Sequence, residues 1–152
     1  MSDSTLLVDR EWRVNCSPEH AFAVFTDRLD AWWPVSHRRG ADSQLRFETG
    51  GPDNQRRLVE RRADGGEIIE LGRVLLWDPG RTLVYRWFPG MPPGAATIVT
   101  VEFLNASGGH CVVRIRHRAA APEEAQPTDE AVGRFLRGWE TVLPAFAAAC
   151  EN

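Results

Sequence analysis

Two stretches near the middle of the chain limit its fold more than any others. Thr97 to Leu104 reads TIVTVEFL and His110 to His117 reads HCVVRIRH, with Asn105-Ala106-Ser107-Gly108-Gly109 between them. Thr97, Val99, Val101 and Phe103 alternate with Glu102 on the opposite face, and Cys111, Val113, Ile115 and His117 alternate with Arg114 and Arg116. A period of two is the signature of a strand with one buried face. A hairpin turning on the Gly-rich segment aligns both apolar faces. It sets Phe103 opposite Val113, Val99 opposite His117 and, outside, Glu102 opposite Arg114. Slipping by one residue would expose every one of these apolar groups, so the register is strongly specified. The outer Glu102–Arg114 pair, worth about 0.2–1 kcal/mol, is expected as an ion pair.

The same signals extend over the middle of the chain. Strands are expected at SQLRFET, QRRLVER, EIIELGRVLLW and RTLVYRW, punctuated by Gly50-Gly51, Asp64-Gly65-Gly66 and Asp78-Pro79-Gly80. VLLW does not alternate. A two-residue turn at Pro79-Gly80 turns Val74 and Leu76 inward and Trp77 outward, and a longer loop reverses this. An earlier strand is expected at LLVDREWRV, Leu6 to Val14. Ser17 then offers an N-cap and Pro18 a first helical residue, followed by Ala21, Phe22, Phe25 and Leu29 near helical spacing. Asp27-Arg28 breaks this helix, and LDAWW forms a second short turn stopped by Pro34.

At the C-terminal end, Val132, Phe135, Leu136, Trp139, Val142, Leu143 and Phe146 recur every three or four residues, a wide apolar stripe. With Thr128 as N-cap, a helix to Cys150 is roughly 34 Å long and crosses an entire sheet. Pro144 is expected to kink it, and Gly133 and Gly138 to let it approach the strands.

With 152 residues, 43% of them hydrophobic and 26% charged, the chain is expected to be a single domain spanning 1–152 with one core. A net charge of -3, with arginines interleaved among acids, gives no polyanion-binding signature, so no nucleic-acid partner is expected. Cys16, Cys111 and Cys150 are odd in number and widely spaced, forming neither a disulfide framework nor a CxxC motif. There is no signal-peptide pattern and no membrane-spanning run, and a cytoplasmic location is expected.

The ordered words FETGG (Phe47 to Gly51), VERRADGGE with Glu60 and Gly65, LGRVLLWDPGRTLVYRW, VTVEF, RIRH and GWETVL together resemble the SRPBCC or START-like superfamily. Within it they resemble the group named for the activator of the heat-shock chaperone ATPase, which includes many uncharacterised bacterial proteins. One departure is Leu71, where many relatives carry tryptophan before the glycine. The resemblance implies an α+β helix-grip fold, like that of START domains and birch-pollen allergens. A curved antiparallel sheet there wraps a long C-terminal helix, with two short helices after strand 1.

A bent sheet and a straight helix cannot touch everywhere, and the gap between them is the expected site for a small hydrophobic or aromatic molecule. Its expected lining is Trp32, Trp33, Phe47, Tyr85 and Trp87, then Val99, Val101, Phe103, Val113, Ile115 and His117, and Phe135, Trp139 and Leu143 from the helix. Taken singly, each aromatic is more often plain core. Six tryptophans together, whose buried indole N–H groups need partners, favour an aromatic-lined cavity. His117, Tyr85 or an indole N–H would orient the ligand. A buried neutral histidine bonded to backbone or water is equally consistent with His117. Glu60 matches a frequent acid of the relatives. Inward it orients a ligand or pairs with an arginine. Outward it is a solvated charge, and this is the arrangement expected.

No catalytic constellation is apparent, and the balance leans against an enzyme. Cys111 and His117 share a face but stand roughly 20 Å apart. Ser36-His37 lacks an orienting acid, and the four histidines are too scattered for a metal site. No cofactor is expected. The leading reading is small-molecule binding. One alternative is a polyketide cyclase- or aromatase-like enzyme using His117 with Glu60 or Tyr85 in the same cavity. Another is an interaction protein like the chaperone ATPase activator. Outward Ile98, Val112 and Trp77 offer a modest apolar patch for a homodimer.

Overall fold

The computed structural model describes residues 6–38, 40, 42–49, 55–63, 68–88, 97–119 and 129–151, with the side chains of 129–132 excepted. The strands are β1 (Leu6–Val14), β2 (Gln44–Glu48), β3 (Arg57–Arg61), β4 (Ile68–Asp78), β5 (Thr82–Trp87), β6 (Thr97–Asn105) and β7 (Cys111–Ala119). The helices are α1 (Pro18–Thr26), α2 (Leu29–Trp32) and α3 (Asp129–Cys150). The strands form one antiparallel sheet in the order β1-β7-β6-β5-β4-β3-β2. This is the helix-grip arrangement. The expected turns at Gly50-Gly51 and Asp64-Gly65-Gly66, and the Thr128 cap, lie outside the described residues.

The β6–β7 hairpin has the expected register: Phe103 faces Val113, Val99 faces His117 and Glu102 faces Arg114. The ion pair is a different one. Glu102 accepts from Arg116 Nη2 at 2.6 Å, two residues further along β7, while Arg114 forks onto Asp9 of β1 at 2.9 and 3.1 Å. Long guanidinium stems reach diagonal neighbours as easily as opposite ones, and β1 lies beside β7 to supply the acid.

Local signals set the helix boundaries. Ser17 Oγ accepts from His20 N at 3.1 Å, and Pro18 occupies the first turn, where a missing N–H costs nothing. Phe22 and Phe25 are buried, and Phe25 meets Phe146 of α3 at 5.3 Å. Each such fully buried side chain contributes roughly 1.5–3 kcal/mol. Helix α3 continues through Pro144, whose ring is exposed, to Cys150.

The expected close approach of Gly133 and Gly138 to strands is not found. Among the described residues, a Cβ at Gly138 would have His37 Nε2 as its nearest neighbour at 3.9 Å, and one at Gly133 would meet Arg137 Nη1 of its own helix at 3.2 Å. The glycine that close packing demands is Gly72, where a Cβ would fall 2.2 Å from the Arg86 carbonyl oxygen on β5.

In β4 the register shifts between Val74 and Leu76, and residues 79–81 connect Asp78 to its partner Thr82. This bulge changes the parity expected for VLLW. Val74 stays buried, Leu75 and Leu76 are 47% and 48% exposed, and Trp77 turns onto the core. Trp77 is therefore no part of an outer apolar patch.

Candidate functional site

The inward face is built around aromatic rings. Trp33 meets Trp87 at 6.3 Å, Trp87 meets Tyr85 at 6.2 Å, and Tyr85 meets Phe47 at 6.1 Å. Phe47 meets Trp77 at 5.6 Å, which contacts Phe22 at 5.2 Å, and Phe22 meets Phe103 at 5.3 Å. Phe103 reaches Phe25 at 6.1 Å, Phe25 reaches Trp32 at 5.5 Å, and Trp32 returns to Trp33 at 5.7 Å. The contacts close into a circuit of rings shared by α1, α2 and strands β2, β4, β5 and β6. Most are tilted or edge-to-face, the arrangement the ring quadrupole favours. Arg56 caps the outer part of this circuit with its guanidinium carbon 3.7 Å from the Trp77 ring centre.

Within the circuit the tryptophan pair divides its work. Trp32 is buried against Phe25 and Phe146, and its indole N–H donates to the Val24 carbonyl at 2.8 Å. Trp33 donates to the His37 carbonyl at 3.1 Å and presents its ring to Trp87. Both N–H groups are thus consumed by nearby backbone. The loop that follows is clamped by Arg38, whose side chain is 8% exposed. Its Nη1 donates to Asp30 Oδ1 at 2.6 Å and Ser43 O at 2.7 Å, and its Nη2 to Asp30 O at 2.5 Å and Trp33 O at 2.8 Å. Nε reaches Trp33 O at 3.2 Å. All five guanidinium N–H groups are used. Asp30 Oδ1 also accepts from Leu45 N at 3.0 Å, which ties α2 to β2.

His117 is buried and both of its ring nitrogens are engaged. Trp139 Nε1, a donor only, gives its proton to Nδ1 at 3.1 Å. The ring's own proton therefore sits on Nε2, 2.5 Å from Thr97 Oγ1, and the Thr97 hydroxyl points on to the Trp87 carbonyl at 3.4 Å. Phe135 of α3 packs on the imidazole with centroids 4.6 Å apart. Burial pushes the His117 pKa down to about 4, so the ring is neutral around pH 7. The chain from Trp139 to the Trp87 carbonyl closes without a spare donor or acceptor on the imidazole.

Glu60 faces inward, contrary to the favoured expectation. It is 3% exposed, opposite Leu45 on β2, and Ser43 Oγ lies 2.5 Å from its Oε2 and 2.8 Å from Gly40 O. Alternation along β3 puts Leu58 and Glu60 on the inner face and Val59 on the outer one, and the register shift there is taken up by Leu71 of β4.

Tyr85 differs from these. It is 2% exposed, and among the described residues its hydroxyl has no hydrogen-bond partner. Burial alone pushes its pKa upward. Leu83, Val99, Val101, Phe103, Val113, Ile115 and Leu143 are all buried, Trp139 nearly so, whereas Phe47, Trp87 and Phe135 stay partly exposed although their strands or helix face the interior. Among the described residues no group of three or more His, Cys, Asp or Glu side chains is gathered for a metal, and no helix is long and apolar enough to cross a membrane.

The profile of the Activator of Hsp90 ATPase homolog 1-like proteins matches residues 15–151. The chain belongs to this family. Its fold is shared by many solved proteins. A Mesorhizobium loti protein is 18% identical, with 95% of this chain and 96% of that one covered, at a TM-score of 0.64. An Hsp90 activator from Plasmodium falciparum is 17% identical over 93% of this chain and 92% of its own, at 0.61. A protein of the dynemicin biosynthetic locus is 17% identical over 95% of this chain and 47% of its own, at 0.65. No curated protein sequence matches. At these identities the likeness carries the fold of the Hsp90-activator-like family and leaves the chemistry to the side chains.

Against that family background, Arg38, Ser43 and Thr97 are site residues that sequence reasoning did not single out. Thr97 was within reach, since it begins the alternating inward run of β6. Arg38 gave no local signal, because its partners are backbone carbonyls brought together by the α2–β2 connection.

Proposed function

We propose that the protein binds a small, neutral, aromatic or hydrophobic molecule between the sheet and α3, with the Tyr85 hydroxyl as its polar anchor. The observation that carries this reading is the unpartnered hydroxyl on a nearly buried tyrosine inside a circuit of aromatic rings. A hydrogen bond from this hydroxyl to a bound acceptor would be worth about 0.5–1.5 kcal/mol. The partial exposure of Phe47, Trp87 and Phe135 on inward-facing elements supports an opening at that end.

Binding is favoured over acid–base turnover by the state of His117 and Tyr85. His117, with its pKa pushed to about 4 and both nitrogens bonded, is poorly suited to shuttle protons near pH 7, and burial drives Tyr85 upward. Native mass spectrometry of freshly purified protein tests the reading. A co-purified small molecule lost on denaturation supports it. Apo protein that also fails to take up any of a panel of neutral aromatics contradicts it.

A further inference from the structure

The outer face of the sheet, opposite α3, carries a row of arginines. Arg57 on β3 is directly opposite Arg73 on β4, and Arg73 is opposite Arg86 on β5. Arg86 is opposite Ile98 on β6, which is opposite Arg118 on β7. Their strand neighbours Leu58, Val74, Tyr85, Val99 and His117 are buried on the inner face, so alternation places the row outward. At about 4.8 Å per strand, three guanidinium stems lie within roughly 10 Å and the fourth about 10 Å further.

Like charges directly across a ladder are destabilising, so such a row is costly unless something neutralises it. The protein neutralises it only in part. Arg73 forks onto Glu70 at 2.8 and 3.1 Å, and Glu48, opposite Arg57, is taken by both ends of Arg61 at 2.7 and 2.8 Å. Among the described residues, Arg57, Arg86 and Arg118 form no ion pair. Arg57 Nε and Arg118 Nε are moreover buried without an acceptor. All this occurs in a chain whose net charge is -3.

We propose that this row is a binding site for a compact anion bearing closely spaced phosphate groups, gripped by Arg57, Arg73 and Arg86 with Arg118 at its far end. Phosphate is favoured over carboxylate by the spacing. A carboxylate offers two oxygens in one plane, both of which one guanidinium fork engages, whereas a phosphate group offers three oxygens in a tetrahedral array that arginines one strand apart can share.

Calorimetric titration with inorganic tripolyphosphate at constant ionic strength tests the site, with citrate as a tricarboxylate comparison. The expected result is saturable binding that weakens with added salt, about tenfold weaker in Arg86→Ala, and about tenfold weaker for citrate. Arg86→Lys, which keeps the charge without the fork, is expected to fall between. Arg114→Ala, on the same face but paired with Asp9, serves as control and keeps wild-type affinity. Circular dichroism confirms that each variant is folded. Absence of saturable binding, or equal affinity in wild type and Arg86→Ala, overturns the site. Citrate binding as tightly as tripolyphosphate overturns the phosphate assignment.

Discussion

The Trp139 indole N–H donates to His117 Nδ1 at 3.1 Å, and this one bond fixes the tautomer of a ring held between β7 and α3. It also makes the imidazole a pH-dependent element of stability. A base whose pKa falls from 6.5 to about 4 on folding binds its proton more readily in the unfolded chain. Its contribution is therefore fully present above pH 6.5 and is lost as pH falls from 6.5 towards 4, a loss on the order of 3 kcal/mol. Urea unfolding between pH 4 and 7 should show this slope. His117→Gln, which can accept from Trp139 and donate to Thr97, should flatten it; an unchanged slope would show that His117 is not its source. Asp9 and Glu48, held below the usual carboxylate range by hydrogen bonds from Arg114 and Arg61, add their losses only in more acidic solution.

Arg38 organises the connection between α2 and β2 through five donors aimed at Asp30, Trp33 and Ser43. Arg38→Ala is expected to destabilise the protein by about 2–4 kcal/mol, because three carbonyls and a carboxylate lose their donor together. Arg38→Lys should recover less than half of this, since one ammonium cannot reproduce the fork. Denaturant midpoints for the two variants measure it. A lysine variant as stable as wild type would mean that charge alone is sufficient.

Gly72→Ala places a methyl 2.2 Å from the Arg86 carbonyl oxygen, where backbone must move. A loss of about 2–4 kcal/mol is expected in chemical unfolding. A loss below about 0.5 kcal/mol would mean the β4–β5 ladder opens there without cost.

Much of the fold was legible because apolar periodicity and turn chemistry agree over the whole β6–β7 hairpin, at Ser17-Pro18 and along α3. The site was legible in outline only. The parity of Tyr85, Trp87 and His117 followed from their strands, but the closed state of His117 depends on Trp139 and Thr97, 22 and 20 residues away. The direction of Trp77 stays open in the sequence, because VLLW does not alternate and either turn length is consistent with it; the bulge in β4 keeps Val74 inward and turns Trp77 inward as well. Glu60 was drawn outward because charged residues are rarely fully buried unless paired, and its neighbour Ser43 arrives from a separate strand connection.

The most direct measurement compares naphthalene with 2-acetylnaphthalene, which differ by one hydrogen-bond acceptor, by tryptophan fluorescence titration of wild type and Tyr85→Phe. The carbonyl compound should bind wild type about tenfold more tightly, the worth of one hydrogen bond to a buried hydroxyl. In Tyr85→Phe that preference should vanish while naphthalene binds as before and the fold is at least as stable. Failure of both compounds to bind wild type, or a carbonyl preference that survives the loss of the hydroxyl, would contradict the account.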